Sequence, residues 1–404
     1  MAEGPGVRGR RRPCVTLFVH DLAANPIVRA SPLAQALERD FRVEMVGLLL
    51  SGEAVYAPFR ERYTFRTLRS RPGLAPVLAA APRLARMAMG DVLYACKPLF
   101  STLLPAVLAA RGGARPLLLD VEDDEWASTA VDIPASGARG VLQRLADTHG
   151  VKARLAHPLA RRAAAVTVST RALQRRHGGV LVRHGPDAAL FDPARPGVEG
   201  RDAVRCRLGL PAGRRIALFA GRPRPQKGWA TLLDALELPA AAGWDLALAG
   251  PAGAMEREAA RRLGRRFHAL GLVGNDQMPG LLAAADAVPV PQRDEPFTRG
   301  QLPAKALEAM AMAVPVVATA VGDLPEILGG GERGWLVPPG DAPALADALA
   351  AIAAGPAEAA RRAAAARRWF VDEASVEAIR ARLVPLVEAA LAGRASAPTP
   401  VAAR

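Results

Sequence analysis

This sequence predicts an α/β protein built as two doubly wound, Rossmann-like domains, and three observations carry that reading. The chain has 404 residues, too many for one ordinary core and a natural fit to two domains of roughly 200 residues each. Short aliphatic or β-branched runs alternate with helical patterns from end to end, the rhythm of a parallel sheet with crossover helices. That rhythm halts once, in the Gly/Pro-rich segment from Pro193 to about Arg201, and then restarts.

In the first half, residues 1–12 read as a basic, Gly-rich disordered tail. The apolar stretch behind it is short and runs into His20-Asp21, so it is expected to be a first strand and not a signal peptide. Strands are expected at Val15–Val19, Phe41–Leu50, Asp91–Ala95, Pro116–Asp120 and Ala163–Ser169. A helix is expected to open with Ser31 as N-cap and Pro32 at its first position. Another follows Cys96-Lys97-Pro98 and carries Ser101 and Thr102. Open parallel sheets bind ligands beyond the carboxyl ends of their strands, which singles out His20, Asp21 and Arg29; Lys97 and the acidic run after the Pro116–Asp120 strand are further candidates. Four acids in Glu122-Asp123-Asp124-Glu125 crowd like charge, so one carboxyl there is expected to titrate high and to serve as a base. Asp120 and Asp124 are the candidates; a solvated loop capping the next helix is the alternative.

The second half restarts at Ile216–Ala220, followed by Gly221-Arg222-Pro223-Arg224-Pro225-Gln226-Lys227-Gly228. Its glycine spacing fits neither a Walker loop nor a dinucleotide fingerprint. Cations at Arg222 and Lys227 suit a leaving group that develops negative charge, at ~1.5–3 kcal/mol for each charge-assisted hydrogen bond. Strands are expected at Asp245–Ala249 and Asp286–Val290, with the run His268–Val273 preceding a helix at Gln277–Ala285. In Gln301–Glu326, Pro303 can start a helix whose apolar face is Leu302, Ala306, Ala309, Met310 and Ala313. Pro315 stops it, and Val316–Thr319 is a buried strand. Lys305 and Glu308 project from one side of that helix. The loop Phe297–Gln301 is expected to leave free backbone N–H groups that attract phosphate. Trp369–Leu391 reads as one long helix, and the tail from Ala392 as disordered.

Composition removes several function classes. The formal net charge of +14 invites a nucleic-acid reading. Aromatics are only 4% of residues, and the arginines are scattered through Ala/Arg-rich helices without one patch. Contact with anionic lipid remains compatible with the charge. Of 53 cationic residues only four are lysine (Lys97, Lys152, Lys227 and Lys305), and where arginine is the default a lysine marks a site that wants a compact charge. Three dispersed cysteines fit reduced thiols in a cytoplasmic protein. No apolar run reaches the ~18 residues of a membrane span.

The run Lys305–Glu326, KALEAMAMAVPVVATAVGDLPE, together with the Gly221–Gly228 loop, resembles the donor-binding signature of retaining glycosyltransferases of the GT-B fold, glycosyltransferase family four. The segment His184-Gly185-Pro186-Asp187 through Phe191-Asp192-Pro193 resembles that family's interdomain segment, with His184 in place of an asparagine, and Gly334–Asp341 its closing turn. The likeness is strong over residues 180–345 and weak before them. It implies an acceptor-side domain at 13–195, a nucleotide-sugar domain at 203–370 facing it across a cleft, and a helix at 371–391 returning to the first domain. It also implies that Arg222 and Lys227, beside Gly221, clamp a diphosphate and that Glu308 holds the ribose. Gly271 to Val273 would hold the base through backbone groups. Arg299, Gly300, Gln301 and Leu302 would give backbone donors, and Lys305 would reach phosphate or sugar. The family's usual second glutamate falls on Gly300; Asp294 and Glu295 are the substitutes on offer. No metal and no cofactor beyond the donor are implied. The acceptor is open among a polysaccharide, a lipid-linked sugar and a small metabolite. A catalytically inactive nucleotide-sugar-binding scaffold and a nucleotide-sugar epimerase are the alternatives.

Overall fold

The computed structural model describes residues 11–24, 26–128, 149–195, 200–251 and 253–393. Residues 1–10 and 394–404 of the expected tails, and 196–199 of the expected linker, lie outside the described residues.

The first domain is a seven-stranded, wholly parallel sheet. Its strands are β1 (Cys14–Val19), β2 (Arg42–Leu49), β3 (Thr64–Arg69), β4 (Val92–Cys96), β5 (Leu117–Val121), β6 (Ala165–Val168) and β7 (Val180–Leu181), in the order 3-2-1-4-5-6-7. Helices α1 (Pro26–Leu37), α2 (Leu74–Met87), α3 (Phe100–Ala109), α4 (His149–Ala160) and α5 (Arg171–His177) connect them. Alternation along each strand feeds two separate cores. Leu93, Ala95, Leu117 and Leu119 pack under α2, α3 and α4, while Val92, Tyr94, Cys96 and Leu118 pack under α1.

The second domain places helices α6 (Arg201–Arg207), α7 (Trp229–Glu237), α8 (Ala254–Leu263) and α9 (Met278–Ala284) around β8 (Arg215–Ala220), β9 (Trp244–Ala249), β10 (Phe267–Gly271) and β11 (Val288–Val290). The short α10 (Pro296–Arg299), α11 (Ala304–Ala311), β12 (Val316–Thr319), α12 (Leu324–Ile327), β13 (Trp335–Val337) and α13 (Ala342–Ala354) complete it. Strand order is 10-9-8 in one parallel group and 11-12-13 in the other, and a bridge between Ala217 and Ala287 joins them edge to edge.

Three expectations are corrected here. The first helix begins at Pro26, not Ser31: Pro32 lies inside it, and the Ser31 hydroxyl meets Tyr63 Oη at 2.9 Å instead of capping. Nine of its twelve residues are buried, and that packing outweighs the missing proline N–H. The terminal helix is two helices, α14 (Pro356–Glu373) and α15 (Val376–Leu391); Ser375 Oγ accepts from Ala378 N and starts the second. Finally, β3 and α2 form where the sequence reading placed no element.

Helix α15 belongs to the first domain's core, where Ile379, Leu383 and Val387 pack with Ile27 and Leu33 of α1. The two domains are also latched electrostatically. Buried Arg183 pairs with Asp323 at 3.0 Å and Glu326 at 2.8 Å, and Asp323 accepts the Arg171 and Ala172 backbone N–H groups at the start of α5. Gly185 lies so close to α14 that a Cβ there would stand 2.4 Å from the Phe370 ring.

Candidate active site

Three neighbouring strands, β8, β9 and β10, end on glycines with positive φ: Gly221 (98°), Gly250 (142°) and Gly271 (67°). Left-handed backbone of this kind favours residues without a Cβ. Gly221 N donates to Ala249 O and Gly250 N to Gly271 O, both at 2.7 Å, so the three turns lie side by side. A Cβ on Gly250 would stand 2.9 Å from the Gly221 carbonyl carbon. The strand ends therefore open onto a shallow crevice at the sheet's carboxyl edge, where α/β folds bind ligands.

The loop Arg222–Lys227 crosses this crevice. Gly228 ends it at φ 70°, and a Cβ there would overlap the Pro291 carbonyl oxygen at 1.6 Å, so only glycine lets the loop press against the residue that follows β11. Lys227 folds back over the first turn, its Nζ 3.7 Å from where a Gly221 Cβ would stand. Lys305, from the first turn of α11, lays its Nζ 3.1 Å from the centroid of the Phe219 ring. Glu308 follows one turn later.

The electrostatics are unusual for a structural site. Burial, then the nearby Arg224, pulls Lys227 down to about 8. Burial, then Lys227, pulls Lys305 well below the ordinary lysine range. Burial pushes Glu308 up to about 7, against the pull of Lys305 and Lys227. Among the described residues none of Arg222, Lys227, Lys305 and Glu308 has an ion-pair partner within 4.0 Å. Lys227 and Lys305, desolvated cations without an ion pair, are costly in an isolated fold and suit an anionic ligand, while Arg222 beside Gly221 is exposed.

The segment Phe297–Gln301 departs from expectation. It is the turn α10 and its exit, with Glu295 capping it, and the N–H groups of Arg299, Gly300 and Gln301 already donate to Glu295, Phe297 and Thr298 carbonyls at 3.0–3.2 Å. Those three are not free phosphate donors. Arg299 is an exposed partner of Asp294, which removes Asp294, and the capping role removes Glu295, as stand-ins for a carboxylate at position 300. Gly300 itself has an ordinary φ of −92°. It is glycine because the first domain closes on it: a Cβ would stand 2.8 Å from the Asp124 Cβ. Leu302 is buried, with its backbone against His184. Gln301 reaches Gln292 at 3.1 Å and Asp123 at 3.5 Å, a bridge across the cleft. Gly271 ends β10 as expected, and Val273 packs partly into the core.

On the first-domain wall the acids sort differently from expectation. Asp120 is fully buried and holds Arg29 through two hydrogen bonds of 2.6 and 2.9 Å and Thr167 at 2.7 Å; it anchors the core and is not poised as a base. Asp21 accepts the N–H groups of Ala23, Leu50 and Ser51 and shapes its own loop. Asp124 caps Ala127 and pairs with Arg176 at 2.5 Å. His20 Nδ1 meets Ser101 Oγ at 2.6 Å. Lys97, held at φ 90°, gathers Glu125 at 2.5 Å, Asp123 at 3.2 Å and Glu122 at 3.6 Å. A β-carbon residue in that backbone region is strained, and such strain collects at functional sites. Burial pushes Glu122 up to about 7 despite Lys97. Glu122 and Asp123 remain partly exposed, and Asp123 lies close enough to attract Lys227 across the cleft. The acidic run flagged this loop, but only its packing separates the two cleft-facing acids from Asp120 and Asp124. His184 is buried, and burial with Arg29 and Lys97 nearby keeps it neutral.

Residues 214–354 match the family model described as "Glycosyl transferases group 1". The chain is similar to the D-inositol 3-phosphate glycosyltransferase of Streptomyces avermitilis, 34% identical over 207 residues that cover 47% of this chain and 43% of that one. The enzyme of the same name from Xylanimonas cellulosilytica is 37% identical over 211 residues, 48% of each chain. The chain thus spans less than half the length of these relatives. Among solved structures, Anabaena HepE in complex with UDP and glucose superposes with a TM-score of 0.69 over 92% of this chain and 99% of its own, at 22% identity. Sucrose-phosphate synthase from Thermosynechococcus elongatus gives 0.67 over 95% and 100%, also at 22% identity. These likenesses establish the architecture: it is the GT-B fold, two Rossmann-like domains facing across a cleft.

Proposed function

We propose that this protein is a retaining glycosyltransferase of family four, which moves a sugar from a nucleotide diphosphate sugar to an acceptor hydroxyl. The observation that carries the reading is the group of Arg222, Lys227 and Lys305, cations without counter-ions around a glycine-lined crevice with Glu308 beside them. The diphosphate lies against these cations, which take up the charge that develops as the bond from the anomeric carbon to the diphosphate oxygen breaks. A new bond forms from that carbon to the acceptor oxygen, and the acceptor proton leaves with the departing diphosphate. Glu308 accepts the ribose hydroxyls, and the turn at Gly271–Val273 faces the base. Glu122 and Asp123, held by Lys97, meet sugar or acceptor hydroxyls from the opposite wall. A uridine nucleotide is the first donor to try, because HepE was solved with UDP and with UDP-glucose. The match to inositol-phosphate glycosyltransferases makes polyols the first acceptors.

A second reading, a nucleotide-sugar-binding scaffold without turnover, is favoured by the closure of Asp124 on Gly300, which leaves no side chain there. One assay separates the two. Nucleotide sugars are incubated with polyol, saccharide and lipid-linked acceptors, release of nucleoside diphosphate is followed, and the product anomer is read by proton NMR. The proposal expects release with the donor's anomeric configuration, persisting in EDTA, and lowered about 100-fold or more in Lys227→Ala and Glu308→Ala. Binding without release moves the scaffold reading forward, and an inverted product rejects retention.

A further inference from the structure

Gly300 offers the cleft no side chain, and the residue after it, half-buried Gln301, reaches the opposite wall instead. Its Nε2 stands 3.5 Å from Asp123 Oδ1, and its Oε1 accepts from Gln292 Nε2 at 3.1 Å. Chemistry fixes the direction of both contacts. A carboxylate only accepts, so Gln301 turns its amide nitrogen to Asp123 and its oxygen to Gln292. Gln292 then offers its nitrogen, which leaves Gln292 Oε1 as the open end of the chain. The Gln292 side chain is buried at 3% exposure, and among the described residues no donor reaches that oxygen. At the other end Asp123 is held through its second oxygen by Lys97 at 3.2 Å.

This chain runs beside the cations of the crevice. Gln292 follows β11, and the next residue, Arg293, donates its backbone N–H to Gln226 O at 3.0 Å in the Arg222–Lys227 loop. Asp123 attracts Lys227 from the first-domain wall. Two features of the chain ask for a ligand. Buried acceptors are seldom left without a donor, and the gap between Gln301 Nε2 and Asp123 is at the long limit of a hydrogen bond. Sugar hydroxyls meet both demands, because each can donate and accept at once. A hydroxyl lying beside the gap accepts from the amide and donates to the carboxylate, and another on the same ring donates to Gln292 Oε1.

We propose that Gln301, oriented by Gln292, binds the transferred sugar and shares one of its hydroxyls with Asp123. The inference rests on the nucleotide-sugar reading of the site and adds the residue that reads the sugar. An amide at position 301 is required by the wall it faces: a second carboxylate there would repel Asp123 and could not donate.

The test is calorimetric titration of wild type, Gln301→Ala, Gln301→Glu and Gln292→Ala. The ligands are UDP, GDP, dTDP, ADP and CDP, then the glucose, galactose and mannose conjugates of the nucleotide that binds. Each variant should keep the wild-type affinity for the free nucleotide within about twofold and lose about tenfold for the preferred conjugate, the size of one hydrogen bond. A conjugate lacking the shared hydroxyl should bind wild type as weakly as the intact one binds Gln301→Ala, and lose nothing further in that variant. A thermal midpoint near that of wild type confirms folding; Gln292 is buried, and if Gln292→Ala does not fold the two Gln301 variants decide the outcome. Equal losses for nucleotide and conjugate would make the glutamines a strap between the domains and overturn the proposal. So would an unchanged affinity for every conjugate, or a conjugate bound by Gln301→Glu as tightly as by wild type. Failure of all five nucleotides to bind wild type overturns the donor-site reading itself and this inference with it, whereas nucleotide binding with no Gln301 effect on any conjugate overturns this inference alone.

Discussion

Lys227 is where residue chemistry and function meet. Its ordinary value of 10.5 is brought to about 8 by burial and by Arg224, so Lys227 is ready to lose its proton just above neutrality. A bound diphosphate restores the opposite charge and raises that value again. Above about pH 8, binding must therefore take up a proton, and the dissociation constant should rise toward tenfold per pH unit. Titration calorimetry of UDP across about pH 7 to 9.5, in buffers of different ionisation heat, checks both the slope and the proton uptake. A flat profile would show that Lys227 does not meet the ligand. At this scale the sequence was partly readable. With so few lysines among 53 cations, each was a signal, and Lys97, Lys227 and Lys305 all line the cleft. Asp120 was not readable, because nothing local reveals that Arg29, 91 residues away, will occupy its carboxylate.

At the scale of elements, the loop between β8 and α7 is fixed by glycines more than by its charges. Gly228→Ala should force the loop off Pro291, with about 1–3 kcal/mol from the backbone conformation alone and more from the overlap. Nucleotide binding should be lost while the far-ultraviolet spectrum is retained; retained binding would show that the loop does not form the site. Most strands of both sheets were legible because parallel strands buried on both faces read as continuous apolar runs. Strands β7, β10 and β13 were not read as strands, and neither was β3, the half-exposed edge strand whose TFRTLR alternates polar and apolar residues. Helix α1 was misread at its start because Ser31-Pro32 imitates a cap, and the break at Ser375 was missed because both sides keep helical spacing. The α10 turn shows how a local motif hides its own donors: the sequence did not reveal that Glu295 caps the turn or that the loop's N–H groups close on themselves.

At the scale of the molecule, the closed arrangement depends on groups from distant parts of the chain. Arg183→Met leaves Asp323 buried with only its backbone donors, and should lower stability by about 3 kcal/mol; a denaturant midpoint close to wild type would place the latch outside the stability of the fold. The same closure explains Gly300, whose missing side chain makes room for Asp124. The cleft was legible only through the resemblance of residues 180–345, since strand patterns give domains and not their facing surfaces. The central claim, a nucleoside diphosphate seated on the second domain by unpaired cations, is tested most directly by thermal unfolding with UDP, GDP, dTDP, ADP and CDP on wild type and Lys227→Ala. A nucleotide at 100 times its Kd adds ~2.7 kcal/mol, a midpoint rise of about 5–11 °C in domains of this size. The account predicts that one nucleotide raises the wild-type midpoint and leaves Lys227→Ala unmoved. No rise with any nucleotide, or an equal rise in both proteins, would contradict it.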